Sequence, residues 1–237
     1  CLLSRGLGDV YKRQVEAQIA FLLKNLYPSK EIVKERSLPE LHLEKKNEGF
    51  MDASQVQYVA RAGNYVRHGF SYHGALRILK VIMGYDYLWI NVRGKVGAYG
   101  CMNSYMRNGD TYFVSYRDPN LKKTDEIYDG IPQYLADFKA DEREMTKYII
   151  GTISDMDTPM NPASKGVRSF GAYICHTEYA QLKKEREEVL NATKESIRAL
   201  APLIETAVSQ DYLCVVGNNA KIRENEQMFE KIEPLYL

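Results

Sequence analysis

The stretch Ala98-Tyr99-Gly100-Cys101-Met102-Asn103-Ser104-Tyr105, joined across Arg107-Asn108-Gly109-Asp110 to Thr111-Tyr112-Phe113-Val114-Ser115-Tyr116, reads as two strands and a tight turn. Asn-Gly between two alternating runs is a hairpin signal, because the favoured two-residue turn needs positive φ at both central positions. Upstream, Gly74 to Met83 carries Leu76, Ile78, Leu79 and Ile82 at helical spacing, and Tyr85 to Val92 reads as a short second helix. Before them, Val56 to Gly63 alternates as a half-buried strand does, with Val56, Tyr58, Ala60 and Ala62 on one face.

Downstream the chain turns helical. Asp118-Pro119 supplies a cap and a first-turn proline for a helix bearing Tyr128, Ile131, Leu135 and Phe138, which Pro132 must kink or shorten. Asp141 with Glu144 predicts a capping box, and Met145, Ile149, Ile150 and Ile153 follow it. Asn161-Pro162 opens another helix, Glu178 to Leu190 is a charged one, and Thr193 caps a long helix striped by Ile197, Leu200, Ala201, Ile204 and Val208. Tyr212-Leu213-Cys214-Val215-Val216-Gly217 is a short apolar strand of the kind found inside a sheet. A hairpin segregated from a long run of helices predicts an α+β fold, a mostly antiparallel sheet with helices packed on it.

Of the 237 residues, 45% are hydrophobic and 27% charged, which excludes a disordered chain. Lys and Arg number 32 against 31 Asp and Glu, a net charge of +1, so the basic excess that nucleic-acid binding requires is missing. No apolar run reaches the roughly eighteen residues of a membrane span. Cys1, Cys101, Cys175 and Cys214 form no close pair and read as scattered reduced thiols, which makes an intracellular site the default expectation.

Residues 1–14, Cys1 to Gln14, begin without Met and match no signal peptide. They show no sustained period and read as adapter-derived sequence outside the fold. On that reading the chain is the tail of something longer, and residues 15–237 form one domain. From Val15 the pattern is helical through Ile19, Leu22, Leu23 and Leu26, with Pro28 as its stop, and a charged connector runs from Glu35 to Asn47.

No metal site is spelled out. The histidines His42, His68, His73 and His176 form no pair one helical turn apart in a zinc-peptidase motif, and His68 and His73 read as capping or packing residues. His176-Thr177-Glu178 lacks the cysteine pair that a zinc deaminase needs. Gly94, Gly97 and Gly100 follow a helix and precede a strand, the reverse of a phosphate loop. That glycine-rich segment has two readings. Either Arg93 caps a helix C-terminus and Tyr99 is an ordinary sheet residue, or both project toward a bound polypeptide as donors to carbonyl oxygens.

The runs Asp86-Tyr87-Leu88-Trp89-Ile90-Asn91-Val92-Arg93-Gly94-Lys95-Val96-Gly97-Ala98-Tyr99-Gly100, Ser115-Tyr116-Arg117-Asp118-Pro119-Asn120 and Thr146-Lys147-Tyr148-Ile149-Ile150-Gly151-Thr152-Ile153 resemble the C-terminal domain of insulinase-type zinc metallopeptidases, most closely the presequence protease branch. The resemblance extends from about Phe50 to the end. It implies one of four homologous α+β domains, in two halves that close over short unstructured peptides. It also implies that zinc, its ligands and the catalytic base belong to an N-terminal half, with no metal ligand and no catalytic residue of its own here. By the same resemblance Arg93 and Tyr99 hold the substrate backbone and the carbonyl under attack, and the fragment alone is inactive. A different expectation is a non-catalytic structural or peptide-binding module, since peptidase-like domains of this superfamily also serve that way.

Overall fold

The computed structural model describes residues 2–25 and 44–236, in two units, 1–43 and 44–237. In the first unit one helix, α1, spans Leu2–Asn25. It begins well before Val15, where the apolar period starts, because a helix closes its own backbone hydrogen bonds and needs no stripe to do so. Val15, Ile19, Leu22 and Leu23 are exposed along it. The stop expected at Pro28, Leu26 before it, and the connector from Glu35 through residue 43 lie outside the described residues.

In the second unit the order is β1 (Glu48–Asp52), β2 (Gln57–Asn64), α2 (Ala75–Ile82), a widened π-helical stretch over Met83–Tyr87 and Trp89–Lys95, β3 (Gly100–Tyr105) and β4 (Asp110–Asp118). Then come α3 (Lys122–Asp129), α4 (Ile131–Ala136), α5 (Glu142–Met156), α6 (Pro162–Ile174), α7 (Tyr179–Leu190), α8 (Lys194–Arg198) and α9 (Ala201–Val208). The chain ends through β5 (Tyr212–Asn218), α10 (Asn219–Glu224) and β6 (Lys231–Pro234). The six strands form one sheet in the order β3-β4-β2-β5-β1-β6. Pairing is antiparallel from β3 to β5 and parallel where β1 joins β5 and β6. The fold is α+β, as the segregated hairpin and helices predict.

Local sequence explains most element ends. The hairpin forms, but only Gly109 takes positive φ, at 94°. Its N–H donates to the Met106 carbonyl (3.0 Å), and the Met106 N–H donates to the Asp110 carbonyl (2.8 Å). The turn is therefore a four-residue one with the glycine closing it. Asn108 instead uses its side chain, accepting from the Asp110 N–H and donating to the Asp110 carboxylate. Asp141 and Glu144 complete the expected capping box at 2.8 and 2.9 Å. Asp118 does not cap a helix. It ends β4 fully buried, accepting from the Asn120 N–H and the Thr124 hydroxyl, and burial raises its carboxyl above the ordinary range. Consequently α3 starts only at Lys122, with Pro119 outside it. Pro132 and Pro202 each fall in the first turn of a helix, so the two long helices expected there divide into α3 with α4 and α8 with α9. The stripe Ile197, Leu200, Ala201, Ile204 and Val208 remains buried across the second break.

The helices cover one face of the sheet, where Val59, Phe113, Leu213 and Val215 join the core. On β2 this face belongs to Gln57, Val59 and Arg61, while Tyr58 lies exposed on the other with Met102 of β3 and Tyr212 of β5. The more apolar side of β2 is thus its open side. Arg61 tolerates burial because its Nε and Nη2 donate to Asp125 (3.0 and 2.6 Å) and its Nη1 donates to the Val208 carbonyl (3.2 Å). Beside it α9 crosses β2 closely. A Cβ on Gly63 would lie 2.0 Å from the Ala207 carbonyl oxygen. Gly63→Ala is therefore expected to destabilise the domain by about 2 kcal/mol through overpacking, read as a lower midpoint in urea unfolding with an unchanged slope.

Candidate functional site

Leu88 and Val92, four residues apart, are fully buried and anchor the π-helical stretch to the core. Their neighbours Trp89 and Arg93, also four apart, are thereby turned outward. The Asn91 side chain donates to the Tyr87 carbonyl (2.8 Å) and accepts from Lys95 Nζ (2.9 Å), holding the last turn. A π-bulge of this kind widens the helix and is frequent where a helix carries a functional group.

The chain then reverses. The Gly97 N–H donates to the Arg93 carbonyl and the Ala98 N–H to the Val92 carbonyl, both at 3.2 Å. Asn120 reaches across from the end of β4 and donates to the Val96 carbonyl (2.6 Å). Ala98 is buried, so Tyr99, next along, points out. Its N–H donates to the Tyr116 carbonyl (3.1 Å), which places it immediately before the edge strand β3.

This folding brings Arg93 and Tyr99 together on the surface. The Arg93 guanidinium carbon lies 3.9 Å from the centre of the Trp89 ring and 6.0 Å from the centre of the Tyr99 ring. Tyr99 is 65% exposed, and its ring meets Tyr116 edge-on at 5.7 Å. Tyr116 in turn meets Tyr58 edge-on at 5.4 Å. Cys101 lies within reach of the Arg93 charge, which pulls its thiol down, but burial prevails and pushes it up. Among the described residues, neither the Arg93 guanidinium nor the Tyr99 hydroxyl has a hydrogen-bond or ion-pair partner. Arg93 stands in the last turn of the π-helical stretch, but among the described residues its side chain donates no hydrogen bond to a helix carbonyl. The arrangement offers a planar fork of donors and one hydroxyl to an acceptor approaching from solvent.

The other candidates from the sequence resolve structurally. His73 caps α2, its Nδ1 accepting from the Ala75 N–H at 3.0 Å. His68 lies apart in an exposed turn after β2. The glycine segment runs from helix to strand, the wrong order for a phosphate loop. Among the described residues no group of three His, Cys, Asp or Glu side chains is placed to hold a metal. The donor set at Arg93 and Tyr99 does not fit zinc either, since neither side chain is a ligand for it. Sequence reasoning did not single out Trp89, Tyr116 or Tyr58. The four-residue spacing of Trp89 and Arg93 was the available signal for the first.

A family model described as PreP C-terminal domain matches residues 47–219. Protein HypA of Clostridium perfringens is 52% identical over 191 residues, which make up 81% of this chain and 20% of that protein. Presequence protease 1, chloroplastic/mitochondrial, of Arabidopsis thaliana is 31% identical over 190 residues, 78% of this chain and 18% of that protein. The chain spans about a fifth of the length of these curated relatives. Among solved structures, a protease from Helicobacter pylori superposes with a TM-score of 0.56 at 15% identity, over 84% of this chain and 52% of that one. Pitrilysin superposes with a TM-score of 0.53 at 11% identity, over 81% of this chain and 21% of that one. These two likenesses are likenesses of fold.

Proposed function

The chain belongs to the PreP C-terminal domain family, and on that premise we propose that it is the non-zinc domain of a longer zinc metalloendopeptidase acting on short unstructured peptides. In this role residues 15–237 form the domain, residues 1–14 stand outside it, and the partner is an N-terminal half of the same polypeptide. Zinc, with its ligands and the base, belongs to that half, and none of this chain's residues takes part in holding it. What the chain contributes is binding. Arg93 and Tyr99 donate hydrogen bonds to the backbone of an extended peptide, and to the oxygen of the carbonyl under attack as it gains charge.

The observation that supports this reading is the pair itself: two exposed donors, on separate elements, brought side by side and without a hydrogen-bond or ion-pair partner among the described residues. Exposed arginines ordinarily find a carboxylate or wave in solvent. Arg93 does neither, being stacked on a ring, and Tyr99 is braced by a second tyrosine. The test uses the 237-residue chain and a fluorescently labelled unstructured peptide. Binding is expected as a saturable rise in anisotropy, with the peptide left intact when zinc is added. Hydrolysis by the chain alone, or tight stoichiometric zinc, would contradict the assignment of the metal centre to another half. Absence of binding would remove the peptide-holding role.

A further inference from the structure

We propose that Trp89 is a positioning residue for Arg93, presenting the guanidinium to a bound peptide with all of its N–H donors free. The inference rests on the reading above that Arg93 binds peptide backbone, and it adds how that arginine is kept ready.

Two physical routes can immobilise an exposed arginine. A carboxylate partner holds it well but occupies the edge of the fork with hydrogen bonds and cancels its charge. An aromatic face holds it through the flat side of the guanidinium, while the N–H bonds, which lie in the guanidinium plane, stay directed outward. The structure uses the second route. The guanidinium carbon is 3.9 Å from the centre of the Trp89 ring, well inside the roughly 6 Å over which a cation is attracted to an aromatic face. No carboxylate among the described residues pairs with Arg93.

The placement of Trp89 fits this use. Nearly half exposed at 46%, it is not filling the core. Leu88 and Val92 do that from the same stretch, and their burial fixes the outward direction of both Trp89 and Arg93. The Tyr99 ring, which carries the second donor, is centred 6.0 Å from the same guanidinium carbon, so the arginine has two rings within reach. A peptide arriving at Tyr99 meets an arginine whose side-chain freedom is already reduced, which lowers the ordering cost of binding.

The experiment measures the affinity of the 237-residue chain for the same labelled peptide in wild type, Trp89→Leu, Trp89→Phe, Arg93→Gln and the double variant Trp89→Leu with Arg93→Gln. Trp89→Leu is expected to weaken binding roughly threefold to tenfold, while Trp89→Phe, which keeps an aromatic face, recovers most of the loss. In the Arg93→Gln background Trp89→Leu should cause no further loss, since a purely positioning residue acts only through its arginine. An unchanged affinity in Trp89→Leu overturns the proposal. So does an equal loss in the Arg93→Gln background, which would mean that Trp89 touches the peptide itself. If wild type binds but these variants fail the pattern, only the role of Trp89 falls; if wild type does not bind, the peptide reading falls and the proposal with it. Should Trp89→Leu not fold, the wild-type Arg93 Nε–H resonance decides. It is expected to lie upfield of the exposed arginines because of the indole ring current, and a resonance at the ordinary position would overturn the stack in solution.

Discussion

Replacing Glu185 with alanine lowers the unfolding free energy by about 3 kcal/mol, the expected cost of breaking a buried ion pair from one side. The Glu185 side chain on α7 is 2% exposed. It accepts from Arg77 of α2, from Arg107 in the hairpin turn, and from the Tyr72 hydroxyl at 2.7 Å. Arg107 also lies over the Tyr72 ring, 4.8 Å from its centre. One carboxylate therefore ties a helix, a helix and a turn that are remote in sequence. Removing it leaves two facing cations without their counter-charge. The loss stays at the lower end of the range because Arg77 and Arg107 are 43% and 36% exposed and regain water when released. Glu185→Gln should lose nearly as much, since an amide keeps the shape but not the charge. The measurement is urea unfolding of Glu185→Ala beside Glu187→Ala, whose side chain is 60% exposed and should change stability by less than about 0.5 kcal/mol. Equal behaviour of the two variants would show that the buried carboxylate contributes nothing net.

Glu185 also marks where sequence and structure part. Its helix reads as strongly charged, and no motif in it marks Glu185 as the glutamate that is buried. What is local is legible: the turn at Gly109, the capping box at Asp141, the Asn161 and Thr193 caps and the stripe on α9 are set by neighbours within a few positions. The edge strand β6, and β1 with its parallel pairing to β5, carry no such signal. Each is short, and its partners are far along the chain. Alternation in β2 reveals two faces but not which is inside. The buried face reads Gln57-Val59-Arg61 and the open face Tyr58-Ala60-Ala62, so hydrophobicity alone points the wrong way. Partners remote in sequence make the burial of Arg61 tolerable: the Asp125 carboxylate supplied from α3, the Val208 carbonyl and the Asp211 carboxylate. Burial raises the Asp125 carboxyl above its ordinary range while the arginine pulls it back.

The same limit applies at the candidate site. Chemistry alone left Arg93 between a helix cap and a peptide donor, and Tyr99 between a sheet residue and a hydroxyl donor. The second reading is the one proposed for both residues; the structure adds that the two side chains stand together and that, among the described residues, their donors have no hydrogen-bond or ion-pair partner. It also supplies what spacing could only hint at, the indole under Arg93 and the tyrosine beside Tyr99.

Arg93→Ala and Tyr99→Phe, made in the full-length polypeptide that carries this domain, are each expected to lower peptide hydrolysis by about 10²–10³, the usual effect of removing one donor to a developing oxyanion. Neither change should unfold the domain. Among the described residues the Arg93 side chain has no partner beyond two aromatic rings, and Tyr99→Phe keeps the ring packed against Tyr116 while deleting only the hydroxyl. The losses should fall on kcat at least as heavily as on KM, because an interaction that strengthens as charge builds on oxygen is lost mainly from the transition state. The most direct measurement is therefore kcat/KM of the full-length Tyr99→Phe enzyme for a labelled unstructured peptide, at a melting temperature matched to wild type. A fall of about 10² or more is the predicted result, and a kcat/KM equal to that of wild type would contradict the assignment of this surface to substrate.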